Sequence, residues 1–156
     1  MTSTTARATT ITAEPHLPTI RLVRVFRAWV DPDLFARWVG PTSIGTTVEE
    51  WDATTGGRWR YSAHRDGERV AGFFGSFHEV REPSRLVQTF TWDGDPDGVS
   101  LETMTFTDLP GGRCRIDALS VFPSVEARDA MVRSGMETGV QEGYAALDRL
   151  LAEGAA

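Results

Sequence analysis

From residue 44 to residue 122 apolar and polar positions alternate in short runs broken by turn residues, the period-two pattern of half-buried antiparallel strands. Six strands are predicted: Ile44 to Trp51, Arg58 to His64, Arg69 to Val80, Arg85 to Trp92, Val99 to Thr107 and Arg113 to Phe122. Between them lie Thr55-Gly56-Gly57, Asp66-Gly67, Glu82-Pro83-Ser84, the acidic loop Asp93 to Gly98, and Pro110-Gly111-Gly112, all residues that supply turn geometry. In the last hairpin Met104 and Phe106 form one apolar face and Cys114, Ile116 and Ala118 another. They share a side of the sheet only if the connection has an odd number of residues, which Gly111-Gly112 can supply as a bulge. Before residue 44, Thr19 to Phe26 alternates as a strand would, yet Leu22, Val25, Phe26 and Trp29 also fall at helical spacing, and periodicity does not decide between them. Asp31-Pro32 is an N-cap followed by a proline at the first helical position, so a short helix is expected at 32 to 39, stopped by Gly40-Pro41. Ser124 caps a C-terminal helical segment that Gly135 should kink. Beyond it Met136, Val140, Tyr144, Leu147 and Leu151 build one apolar face. A curved antiparallel sheet of about seven strands wrapped round one long C-terminal helix satisfies both patterns, an α+β architecture.

Residues 1 to 18 are rich in Thr and lack periodicity, which reads as a flexible leader before a single domain over 19 to 153. The 156-residue chain suits one core, and no apolar run reaches the ~20 residues of a membrane helix or forms a signal-peptide block. The expectation is a cytoplasmic protein with no membrane insertion. A net charge of −6 disfavours nucleic acid as a partner. One cysteine, Cys114, and three scattered histidines, His16, His64 and His78, argue against a disulfide or a metal site. The chain has no lysine, which removes Schiff-base chemistry and the phosphate-binding loop. No cofactor is expected, and homodimerisation is left open.

The strings WVDPDLFARWVGP, TGGRWRY, GSFHEVREPSRLVQTFTW, FPSVEARDAMVRSGMETG and GYAALDRL together resemble the SRPBCC (START-like) superfamily, in the branch named after the activator of the heat-shock-protein-90 ATPase, from Thr19 to Leu151. The resemblance implies a helix-grip fold with an apolar cavity between the sheet and the last helix. It also implies a longer stretch between the first strand and the Ala28-Trp29 turn than this chain offers after Phe26, so a shortened N-terminal helical region and a more open cavity are expected.

With Trp59 and Tyr61 pointing inward, alternation places Trp59, Tyr61, Phe73, Phe77, Phe90, Trp92, Met104 and Phe106 on the face turned to the helix, which itself offers Met136, Gly139, Val140 and Tyr144. An ordinary packed core and the lining of a ligand cavity are both consistent with this set, and the resemblance favours the cavity. Gly135, Gly139 and Gly143 recur every four residues, either for close backbone approach or for room beneath the helix. Glu102 falls on the apolar side by alternation. Buried there, its carboxyl would titrate high and could act as a general acid or ligand anchor; at a strand end it would be solvated. Tyr144 could add a hydroxyl. Glu102 and Tyr144 are therefore the catalytic candidates. His78 and the run Arg58, Arg60, Arg113 and Arg115 read as solvent-facing, while adjacent Glu49 and Glu50 point to opposite faces and cannot form an acid/base pair. The preferred function is binding of a small hydrophobic or aromatic molecule rather than catalysis. The alternatives implied by the resemblance are a polyketide cyclase or aromatase-like enzyme using the same cavity, and a chaperone-interacting module.

Overall fold

The computed structural model describes residues 22–154 together with the backbone of Thr4–Thr5 and Thr9–Ile11. Six long strands form the sheet: β3 (Gly45–Trp51), β4 (Arg58–Arg65), β5 (Glu68–Arg81), β6 (Arg85–Trp92), β7 (Ser100–Leu109) and β8 (Arg113–Phe122). Each pairs antiparallel with the next in sequence, as the turn residues between them dictate. Arg65 pairs with Glu68 across Asp66-Gly67, both of which adopt positive φ, the requirement of a two-residue hairpin turn. Pro110-Gly111-Gly112 makes a three-residue connection with both glycines at positive φ, so Phe106 faces Ile116 and Met104 faces Ala118 as the odd count demands. Register shifts at Val48/Glu50, Ala63/His64 and Phe77/Glu79 add local twist, which bends the β3 to β6 half of the sheet.

Of the two readings left open for Thr19 to Phe26, the strand is not the one formed over the described residues. Leu22–Val30 is helix α1, and residues 19–21 lie outside the described set. The spacing of Leu22, Val25, Phe26 and Trp29 wins because the helical face meets a partner: Val25 and Phe26 are buried, and the Phe26 ring meets Phe106 edge-on at 5.1 Å. The helical reading of this segment therefore holds, and α1 runs through Phe26, Arg27, Ala28 and Trp29 without a break. Two short pieces of the stretch read as a leader, β1 (Thr4–Thr5) and β2 (Thr9–Ile11), pair antiparallel with β8. Six long strands, not seven, carry the sheet.

Helix α2 (Pro32–Trp38) begins as expected, the Asp31 carboxylate accepting from the amides of Asp33 and Leu34. The C-terminal segment is not one kinked helix but two, α3 (Val125–Arg133), capped by Ser124, and α4 (Met136–Ala152), separated by Gly135 at φ 79°. Helix α4 lies over the inner face, where Leu147, Leu150 and Leu151 join Phe26, Leu86, Met104, Phe106 and Ile116 in one core. No helix among the described residues is long and apolar enough to cross a membrane.

Candidate functional site

The inner face of the sheet changes character along its strands. At one end Phe77, Leu86, Met104 and Ile116 are sealed. One or two residue pairs further along the same strands, the inward positions Gln88, Phe90, Glu102 and Ser120 are only half-buried, as are Phe73 on β5 and Val140 on α4. Helix α4 follows the same gradient, from Met136, 40% exposed, to Leu147, fully buried. Sheet and helix thus enclose a sealed core at one end and a half-covered stretch of inner face, called the cleft below, at the other.

Glu102 stands on the floor of that cleft because strict alternation along β7 carries Ser100, Glu102, Met104 and Phe106 inward. Its cross-strand neighbours are Gln88 and Ser120, and the Gln88 amide donates to its Oε2 at 3.1 Å. Burial pushes the Glu102 carboxyl up from 4.5 to about 7, with the Gln88 bond opposing the rise. Tyr61 from β4 and Tyr144 from α4 approach from the walls. Both phenols titrate above their ordinary value, first through burial and then through the charge of Glu102. Both rings are 8% exposed, yet neither hydroxyl has a hydrogen-bond partner among the described residues. A hydroxyl without a protein partner on the inner face is open to another molecule's polar group. The indole N–H groups of Trp29 and Trp59, by contrast, are buried without an acceptor. Trp38 instead donates to Ala28 O at 2.8 Å and Trp51 to Val30 O at 2.7 Å, which fixes them as structural.

Around the carboxyl the rings form a continuous wall. Trp59 stacks on Tyr61 at 5.6 Å, Tyr61 meets Phe73 at 5.2 Å, Phe73 meets Phe90 at 5.4 Å, and Phe90 returns to Trp59 at 5.7 Å. Of the residues expected to line a cavity, Trp59, Tyr61, Phe73, Phe90, Val140 and Tyr144 belong to this cluster or its rim. Phe77, Met104 and Phe106 are fully buried in the core, as is Trp59 at 2% exposure, so the partly exposed members of the cluster and its rim are Phe73, Phe90 and Val140. Trp92 shares their face by alternation but lies at the strand's end, 46% exposed, with its ring against Gly94. Gly139 does not open room for a ligand. A Cβ there would meet the Pro41 ring at 3.3 Å, and one at Gly143 would lie 3.1 Å from Trp38 O, so the glycine stripe serves the docking of α4 on the end of α2.

Gln88 and Trp29 were not named as site residues from the sequence. Alternation with Leu86 and Phe90 already placed Gln88 inward, whereas Trp29 depended on the helical reading of the N-terminal segment. His78 is exposed, and His64 meets the Ser62 hydroxyl at 2.9 Å on the outer face. Among the described residues no group of three or more acidic, histidine or cysteine side chains is placed to hold a metal. A separate hollow of about 260 Å³ lies on the face turned away from α4, between Arg58, Phe74, Ser76, Thr89, Thr91 and Val99, and shares only Trp59 with the cleft.

Solved structures share this architecture. A protein from Arthrobacter aurescens is 27% identical, with a TM-score of 0.82 over 96% of this chain and 91% of its own. Protein Ms6760 from Mycobacterium smegmatis is 25% identical, with a TM-score of 0.78 over 95% and 97%. DynU16, a protein in the dynemicin biosynthetic locus, shares the fold at 18% identity and a TM-score of 0.62, over 95% of this chain and 46% of its own. No curated protein matches the chain. The family model described as activator of Hsp90 ATPase homolog 1-like protein matches residues 21–152. On that match, which takes in both N-terminal helices, the sheet and the whole cleft, the chain belongs to the activator of Hsp90 ATPase homolog 1-like family.

Proposed function

We propose that this protein binds a small, largely apolar or aromatic molecule in the cleft between the sheet and α4. The observation that supports this reading best is the pair of hydroxyls of Tyr61 and Tyr144, without a protein partner among the described residues, beside a carboxyl on the inner face at the place where that face is no longer sealed. The ring wall of Tyr61, Phe73 and Phe90 supplies contact area. A neutral solvatochromic dye such as Nile red should bind with a blue-shifted emission and quench tryptophan fluorescence. Tyr144→Trp, which fills the cleft from the helix side, should weaken it at least about tenfold, while Trp92→Ala should not, since Trp92 stands outside. Absence of dye binding to the wild type at high protein concentration would defeat the proposal.

One observation favours a second reading, a cyclase or aromatase-like enzyme. A carboxyl titrating at about 7 is suited to give and take protons near neutral pH. In that case Glu102→Gln keeps binding of a substrate and loses its turnover, and the pH profile of turnover in the wild type carries one limb near 7.

A further inference from the structure

We infer that the cleft selects an organic cation, an aromatic ammonium whose nitrogen is held by Glu102 and whose apolar body rests on Tyr61, Phe73 and Phe90. This rests on the small-molecule reading above and narrows it to one charge class. The Glu102 carboxylate makes no ion pair with any described residue: every ion pair found joins groups outside the cleft. Its cross-strand neighbours, Gln88 and Ser120, are neutral, and the amide of Gln88 gives it a single hydrogen bond. A carboxylate withdrawn from water without a cation is costly, and a partner charge brought in from outside offsets that cost.

The surroundings fit an ammonium group on two further counts. Phe73 and Phe90 are half-buried and so present ring surface to the cleft, and a cation over the face of an aromatic ring is attracted to its negative quadrupole. The hydroxyl oxygens of Tyr61 and Tyr144 stay neutral, since both phenols resist ionisation, and each can accept one N–H of a primary ammonium while the carboxylate accepts another. An anionic ligand would meet the like charge of Glu102 in a chain of net charge −6. A neutral one would leave the group either an unpaired carboxylate or a protonated acid, with no charge to select the ligand.

Three probes with one ring system decide the matter: 1-naphthylmethylamine, 1-naphthalenemethanol and 1-naphthoate, titrated calorimetrically against the wild-type protein at pH 8, where both the amine and Glu102 are charged. The amine should bind at least about tenfold more tightly than the alcohol, and the acid most weakly, as expected of a charge-assisted hydrogen bond combined with cation–π contact. Glu102→Gln should bring amine and alcohol to within about twofold of each other. Amine and alcohol binding equally to the wild type, or the acid binding best, would overturn the cation inference and leave small-molecule binding standing. Failure of all three to bind would overturn both. The wild-type series decides even if the glutamine variant does not fold.

Discussion

Glu102→Gln removes one titration and little else, because glutamine keeps the shape of the side chain and can still bond to Gln88. The folded value of about 7 lies above the ordinary 4.5, so the native state holds the proton more tightly than the unfolded chain. Below pH 4.5 the carboxyl is protonated in both states and carries no penalty. As pH rises through 4.5 the unfolded chain ionises freely while the folded one does not, and stability falls. Past about pH 7 the folded carboxyl ionises too and the loss levels off. One pKa unit corresponds to about 1.4 kcal/mol, so the full loss is about 3 kcal/mol, an upper bound because Glu102 is half-buried and water screens part of its charge. The glutamine variant pays none of it. Its stability relative to the wild type should therefore rise by up to about 3 kcal/mol between pH 4 and pH 8, or up to about 6 to 12 °C in Tm for a domain of this size. Urea unfolding of both proteins at five pH values between 4 and 8 measures the difference directly, and taking the difference cancels the titrations the two proteins share. A difference that stays flat across the range, or a carboxyl ¹³C titration placing Glu102 at or below 4.5, would refute the reasoning.

Gly143→Leu should destabilise the fold by about 1 to 3 kcal/mol, because even its Cβ lies 3.1 Å from the Trp38 carbonyl and must push α4 off α2; thermal melts check this, and a variant as stable as the wild type would show that the stripe is not a docking face. Trp59→Phe trades some packed ring volume for the loss of a buried, unpartnered N–H, so its measured cost should stay below about 1 kcal/mol, whereas Trp38→Phe orphans the Ala28 carbonyl and should cost about 1 to 3 kcal/mol more; chemical denaturation of the two variants side by side reads the contrast.

The sheet was legible in the sequence because each of its six long strands is bounded by residues that can do little but turn, and because alternation fixes a face once one inward residue is known. Alternation put Glu102 on the apolar side, and the choice between burial and a solvated strand end needed the folded chain. Its partner Gln88 needed the register of β6 against β7, a long-range fact that local pattern does not contain. The N-terminal segment failed for a different reason. Leu22, Val25, Phe26 and Trp29 satisfy both periods, and the choice is made by the burial of Phe26 against Phe106, some eighty residues away. The pairing of Thr4–Thr5 and Thr9–Ile11 with β8 had no apolar alternation to announce it. The glycines of α4 did signal close approach, but only the folded chain shows that their neighbours are Pro41, Gly40 and Trp38 rather than the sheet.

Helix α3 buries no residue, and its Val132 is 70% exposed, while α4, directly after Gly135, buries five. Two consecutive helices of one chain therefore differ sharply in what holds them. Releasing α3 from the sheet gives up only the half-buried contacts of residues such as Ala127 and Met131 and one serine cap, and asks for rotation about a glycine already in the left-handed region. Releasing α4 means dissolving the core. The least costly departure of the protein from its native state is then a local opening of residues 125–133, separate from global unfolding and reached many times within the lifetime of the folded sheet.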